Sequence, residues 1–316
     1  MLSMHDFKQP VQGAYCQLED LLSLRFAARE LQLTPRQQSR SLLSGGFRTR
    51  FRGRGMEFEE VRHYQAGDDI RSIDWRVTAR TSVPHTKLFR EERERPVILM
   101  LDQRNPMFFG SKHCFKAALA AHTAALMGWA ALANNDRVGA LIFNDTQEKD
   151  IRPKRSRHTL LAILKTIQEF NTSLQSPVPD PAAVSLSQRL RDLRRIAKPG
   201  SAIIISSDFH DIDQACDEQL YQLSRHGDVS LLHICDVLES HLPANMQLTV
   251  SDGQQRRVLD TRSRSLRAHY QQQFDNQFAH LQSLARQLAV PLLTIRTDQP
   301  PLARLLPTFG KQVCRR

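Results

Sequence analysis

The sequence predicts an α/β fold: a doubly wound, mostly parallel sheet with a small, charge-rich N-terminal subdomain that contains β structure. Three observations predict it. Continuous apolar runs recur at Val97–Leu101, Val138–Phe143, Ser201–Ser206 and Val229–Ile234; runs of this kind mark strands covered on both faces, as in parallel sheets. Segments with helical periodicity alternate with them. Residues 46–95 break the pattern, being dense in charge and poor in apolar side chains.

Taken in order, residues 1–45 contain one helix, Gln17 to Leu31, with Leu18, Leu21, Leu22, Leu24 and Phe26 apolar, and Gly45-Gly46 then break the chain. From Arg36 to Arg95 there are 14 Lys and Arg against 9 Asp and Glu, an excess of positive charge. In Phe47-Arg48-Thr49-Arg50-Phe51-Arg52 the arginines alternate, which places them on one face of an extended strand. That strand reads either as a solvated edge or as a basic binding face. The run Val97–Leu101 ends in Asp102, and a long helix follows from Ser111 to Ala133. Next come the strand Val138–Phe143, a short edge strand Lys149–Arg152 and the helix His158–Phe170. A proline-interrupted linker, Ser176–Pro181, leads to the helix Ser185–Ala197. The strand Ser201–Ser206 is followed by Asp208, then by the helix Asp213–His226 and the strand Val229–Ile234 near Asp236. Asp252-Gly253 marks a hairpin turn within Gln247–Leu259. The helix Ser265–Leu288 and the strand Val290–Ile295 close the series. The expected division is 1–95, a helix plus the charge-rich subdomain, and 96–316, the α/β domain.

Composition sets the class of partner. The chain of 316 residues carries a net charge of +11, mostly from arginine, which favours acidic partners: nucleic acid, an anionic membrane surface or an acidic protein face. Aromatic residues are only 7 % and no nucleic-acid reading motif is present. The five cysteines are scattered and never spaced CxxC, which argues against a disulfide framework or zinc site and for reduced thiols in the cytoplasm. The first residues have no basic stretch followed by an apolar run, so no signal peptide is expected. Ala117–Ala133 is short, alanine-rich and interrupted by His122, so it reads as a buried helix rather than a membrane span.

Catalytic signatures are absent from the sequence: it contains no GxGxxG after a strand, no GxxxxGK[ST], no GxSxG and no HExxH. Asp102 and Asp208 end two strands, where open α/β sheets place their sites. Such a pair could hold a hard cation through oxygen, or be two solvated strand ends. No enzyme and no cofactor are expected.

One segment is specific. Gly53 to Arg80 reads GRGMEFEEVRHYQAGDDIRSIDWRVTAR. It resembles the signature of the bacterial family called domain of unknown function 58, GxExxxxRxYxxGDDxRxIDWxxxAR, carried here by Gly55, Glu57, Phe58, Arg62, Tyr64, Gly67, Asp68, Asp69, Arg71, Asp74, Trp75, Ala79 and Arg80. The resemblance implies a von Willebrand factor A-like domain after the signature. It implies action beside a MoxR-type AAA+ ATPase as an adaptor or chaperone-like factor, with no enzymatic activity established. Within the signature, Asp68, Asp69 and Asp74 lie among Arg62, Arg71, Arg76 and Arg80, so arginine–carboxylate pairs are expected to lock the subdomain, with Ile73 and Trp75 plugging it onto the main sheet.

The resemblance also implies a metal loop DxSxS after the first strand of the α/β domain. Here the loop reads Asp102-Gln103-Arg104-Asn105-Pro106-Met107-Phe108-Phe109-Gly110, so Arg104 and Pro106 stand at the serine positions. Met107 and Gly110 keep the family's register, and Asp208 matches a later aspartate. Neither an arginine nor a proline side chain can ligate a cation. The threonine ligand has two candidates, Thr159 and Thr172. Arg104 is expected to lie between Asp102 and Asp208 as a tethered cation, or else to point to water. The expected function is protein binding through the strand-end loops and the arginine-rich subdomain. The rival is non-specific binding of nucleic acid or anionic membrane.

Overall fold

Ten strands run through the described residues of the computed structural model, which are 9–33, 56–65, 70–91, 95–174, 184–251 and 256–311. They are β1 Met56–His63, β2 His85–Glu91, β3 Pro96–Asp102, β4 Arg137–Phe143, β5 Glu148–Lys154, β6 Ala202–Ser207, β7 Asp228–Cys235, β8 Gln247–Ser251, β9 Arg256–Asp260 and β10 Leu292–Arg296. The main sheet has the order β10-β7-β6-β3-β4-β5. All its neighbours are parallel except β5, which pairs antiparallel with β4 at the edge.

The doubly wound reading follows from how β3 alternates. Val97, Leu99 and Leu101 belong to one core, together with the helices Lys116–Ala133, Arg157–Ser173 and Pro301–Phe309. Ile98 and Met100 belong to the other, with the helices Leu186–Ile196, Gln214–His226 and Arg264–Gln287. A strand buried on both faces must be apolar at every position, which is why these runs were continuous. No helix among the described residues is long and apolar enough to cross a membrane.

The chain divides into two compact units, Met1–Gly46 with Arg95–Arg316, and Phe47–Glu94. Residues 9–33 therefore go with the α/β unit, not with the signature segment as the 1–95 grouping had it. The reason is packing: Leu21, Leu24, Ala27, Ala28 and Leu31 are buried in the same core as the long alanine-rich helix. The single helix expected over Gln17–Leu31 is instead an α-helix, Leu18–Ser23, followed by a 3₁₀ turn, Ala27–Glu30. The Trp129 indole donates to the Leu21 carbonyl at 3.0 Å, and the Arg25 N–H turns to Leu22 instead. The long helix starts at Lys116 rather than Ser111, because Gly13 N–H bonds the His113 carbonyl and Gly13 bridges Cys114.

The unit Phe47–Glu94 contains β1 paired antiparallel with β2, a bulge between Phe58 and Glu60, and the helix Trp75–Thr81. The arginine run Phe47–Arg52, the linker Ser176–Pro181 and the turn Asp252-Gly253 lie outside the described residues.

Candidate functional site

The carboxyl ends of β3 and β6 lie side by side, at the point where the chain leaves β3 to one side and returns on the other. Open α/β sheets place their sites in such a crevice. Asp102 ends β3 and is fully buried. Its Oδ1 accepts the Arg104 backbone N–H at 3.0 Å, which folds the loop back on the strand end. Its Oδ2 accepts the Ser207 hydroxyl at 2.7 Å.

Arg104 is 3 % exposed and all three of its guanidinium nitrogens are engaged. Nε and Nη2 meet Asp102, the latter at 2.8 Å. Nη1 and Nη2 meet the two oxygens of Asp211 at 2.6 and 2.9 Å, and Nη1 also reaches the Val184 carbonyl at 3.3 Å. Burial alone would lower the Arg104 proton affinity, but Asp102 and Asp211 outweigh it and hold the cation above its ordinary range. Asp211 is held below the usual carboxylate range: burial opposes this and the Arg104 bonds win.

Arg104 is thus a tethered cation between two carboxylates, but the second is Asp211, not Asp208. Asp208 has its own cation. Lys116 is 1 % exposed and its Nζ donates to Asp208 Oδ2 at 2.7 Å and to Glu239. Burial would lower Lys116 as well, and again the two carboxylates more than offset it. Asp208 is held far below the ordinary carboxylate range: burial works against this, and Lys116 and then His210 prevail. Glu239 is pushed up by burial, since its single cation is shared. Its Oε2 accepts the Asp236 N–H at 2.8 Å while Asp236 caps the short helix Val237–Ser240.

Sequence reading missed Lys116, Asp211 and Glu239. The signal for Lys116 was present: it opens a helix that has no other charged residue through Ala133. Asp211 gave no such signal. It reaches Arg104 only because the chain turns after β6 through Phe209, whose φ of 53° is left-handed. That conformation costs a non-glycine residue roughly 1–2 kcal/mol.

The remaining loop positions hold register. Met107 is buried and Pro106 lies in the 3₁₀ turn Asn105–Met107. A Cβ on Gly110 would lie 2.1 Å from the Cys114 carbonyl oxygen, so only glycine fits. Thr159 and Thr172 both lie on the helix Arg157–Ser173, Thr172 exposed, and neither is among the hydrogen-bond partners of Asp102.

A von Willebrand factor A-like loop implies a divalent cation here, and the side chains do not fit one. The Asp102 oxygens are taken by a guanidinium and a hydroxyl, Asp208 is taken by an ammonium, and Pro106 offers no donor. Among the described residues no cluster of His, Cys, Asp or Glu is disposed to hold a metal.

The signature residues are placed in the unit Phe47–Glu94. Asp74 caps the helix Trp75–Thr81, its Oδ1 accepting the N–H groups of Arg76 at 3.0 Å and Val77 at 3.2 Å. Tyr64 N–H bonds the Pro84 carbonyl at 2.9 Å, and Arg62 Nη1 bonds the His63 carbonyl at 3.0 Å. Arg71 lies in the 3₁₀ turn Ile70–Ser72, and Ala79 and Arg80 in the helix. Trp75 is the first residue of that helix. Glu57 and Phe58 lie on β1; Gly55, Gly67, Asp68 and Asp69 lie outside the described residues.

The family model described as "Protein of unknown function DUF58" matches residues 60–280, spanning the later signature residues and the ion-paired strand ends. The chain belongs to this family. Uncharacterized protein Rv1480 of Mycobacterium tuberculosis and uncharacterized protein Mb1516 of Mycobacterium bovis are each 29 % identical to it over 287 residues, 90 % of this chain and 88 % of theirs. Solved structures similar to it include conserved hypothetical protein BatB from Bacteroides thetaiotaomicron, at 16 % identity and TM-score 0.36, covering 66 % of this chain and 93 % of that one. Another is the SpRpn10 VWA domain, at 10 % identity and TM-score 0.36, covering 68 % and 94 %.

Proposed function

We propose that this protein is a non-enzymatic, metal-independent protein-binding module. In this reading it acts in the cytoplasm as an adaptor or chaperone-like partner of a MoxR-type AAA+ ATPase, through its strand-end loops and its arginine-rich N-terminal subdomain. The observation that supports it is the Asp102–Arg104–Asp211 cluster. A guanidinium stands where a metal loop would have its first serine, so the positive charge is built into the chain and the loop is held without an exchangeable ion. The metal site is, in this reading, a degenerate one. The identity of the partner comes from the family resemblance.

Two measurements test it. Calorimetric titration of the full chain with magnesium or manganese should give no stoichiometric site of micromolar affinity; finding one would sink the degenerate-site reading. A purified MoxR-type ATPase from the same cell should be retained by the immobilised chain in nucleotide-free buffer containing chelator. Loss of retention with chelator would show the partner contact to need a metal. If the chain instead holds DNA or anionic vesicles at about 0.15 M salt, and no ATPase, it is a phosphate-surface binder, because non-specific phosphate contacts weaken steeply with salt.

A further inference from the structure

Beside the Lys116 cluster, between the end of β6 and the helix Arg264–Gln287, lies a cavity of about 200 Å³ that the strand-end loop reading does not use. It is smaller than the roughly 300–1,000 Å³ pockets that enclose drug-sized molecules, and suits a group the size of one side chain. We propose that this cavity binds an organic cation, an ammonium or guanidinium group on a short flexible chain.

Two features of its wall agree on the sign, and a third calls for a polar group. The first is charge. Asp208 and Glu239 both line the cavity and share the single ammonium of Lys116. Two carboxylates to one lysine leave an unbalanced negative charge at the wall, and His210 on the rim already spends its Nδ1 on Asp208 at 2.9 Å. The Tyr270 phenol, also in the wall, responds to this field: it is pushed above its ordinary range by burial and then by Glu239, with Lys116 opposing.

The second feature is an aromatic wall. Phe274 and Phe278 stand one turn apart on the helix, ring centroids 6.1 Å apart and 19° from parallel. Phe278 in turn stacks on His233 at 5.2 Å. Ring faces are negative and attract cations most strongly where water is partly excluded. Both phenylalanines are half-buried, so their surface is presented to the cavity without being lost in the core.

The third is an unmet polar atom. His233 is 5 % exposed and lines the cavity, and its Nδ1 has no hydrogen-bond partner among the described residues. A buried polar atom without a partner is costly and calls for an explanation. Burial holds this imidazole neutral near neutral pH, and a neutral ring offers one acceptor nitrogen. Nδ1 can accept from a ligand or donate to it according to the tautomer, so it calls for a polar ligand without choosing the sign of its charge. An anion would meet the carboxylates, and a purely apolar group would leave Nδ1 unpaired.

The adaptor reading bears only on where the cation comes from, a lysine or arginine side chain of the bound protein or a free alkylamine. The test is a titration of the full chain with n-butylammonium, n-butylguanidinium, n-butanol and butyrate at constant ionic strength near neutral pH, following the His233 imidazole resonances. The two cations should shift them with roughly millimolar affinity, and butanol and butyrate at least about tenfold more weakly. Phe278→Leu should weaken the cations about fivefold while keeping apolar bulk, and Glu239→Gln should weaken them about as much. Equal binding of butanol, tighter binding of butyrate, or no shift with any probe overturns the proposal, and none of those results depends on a variant folding. Weakening of both butylammonium binding and ATPase retention in Phe278→Leu assigns the cation to a partner's side chain; weakening of the first alone assigns it to a free amine. ATPase retention without cation binding removes this site and leaves the adaptor reading standing; cation binding without retention does the reverse.

Discussion

Arg104 and Lys116 sit at the same edge of the sheet, each nearly sealed from solvent and each set between two carboxylates, yet they solve different problems. Arg104 spreads its charge over a planar fork whose three nitrogens are all engaged, two carboxylates being met in bidentate fashion. Lys116 is a point charge at the first residue of a helix, where the backbone dipole disfavours a cation. It must serve Asp208 and Glu239 together, and Glu239 is left pushed up by burial. The arginine cluster is therefore a lock, and the lysine cluster is a partly balanced centre that opens onto a cavity. Both put four carboxylates against two cations at the end of the sheet, in a chain that is otherwise strongly basic.

The largest effect expected is that of Arg104→Met. It strands two carboxylates, Asp102 fully buried, and should lower unfolding stability by roughly 3–5 kcal/mol, read as a shift in the urea midpoint. His233 should produce the next largest, as a pH dependence. Burial lowers its pKa from 6.5 to about 4, so the unfolded chain takes up the proton first. Its contribution is then fully present above pH 6.5 and is lost as pH falls toward 4, by roughly 3 kcal/mol. Asp208 and Asp211 have lowered values, so their contribution is present above the unfolded carboxylate range and is lost only in stronger acid. His210, which is raised, has the opposite sign, losing its contribution as pH rises. Comparing the wild-type chain with His233→Gln isolates the term: the variant should lack the extra loss between pH 6.5 and 4.

Lys116→Met should cost less than Arg104→Met, about 2 kcal/mol, because Glu239 can take a proton when its cation is removed and His210 still holds Asp208. If the lysine variant proves the more destabilised, the distinction between lock and centre is wrong. The smallest effect belongs to the other unit. Asp74→Ala removes the cap of the helix Trp75–Thr81 and should cost about 1 kcal/mol, seen as faster amide exchange at Arg76 and Val77. A change reaching amides around Asp102 would mean that the signature supports the strand ends and not only its own helix.

Most of the sheet was legible because its strands are buried on both faces, and Val97–Leu101 can hardly be read otherwise. The hairpin of β8 and β9 was legible from the Asp252-Gly253 pair, and the edge strand β5 was read at Lys149–Arg152. The split in the Gln17–Leu31 segment was not, since it depends on Trp129, more than a hundred positions away, taking the Leu21 carbonyl. In the signature, charge pattern suggested ion pairs around Asp74, and the structure adds a role for it as a helix cap. The cap was not legible because it depends on the backbone that follows the carboxylate.

At the strand ends the sequence alone determined that the loop after Asp102 carries Arg104 and Pro106, neither of which can ligate a cation, because side-chain chemistry does not depend on the fold. It also determined that Arg104 would find a carboxylate close by, since Asp102 is two residues away. Only the tertiary structure decided which others take part. Asp208 and Asp211 come from the loop after β6, Glu239 from the short helix Val237–Ser240 and Lys116 from the first residue of the long helix, and no local pattern records a distance between them. Charge is a property of a residue, whereas ion pairing belongs to the space in which the chain places it.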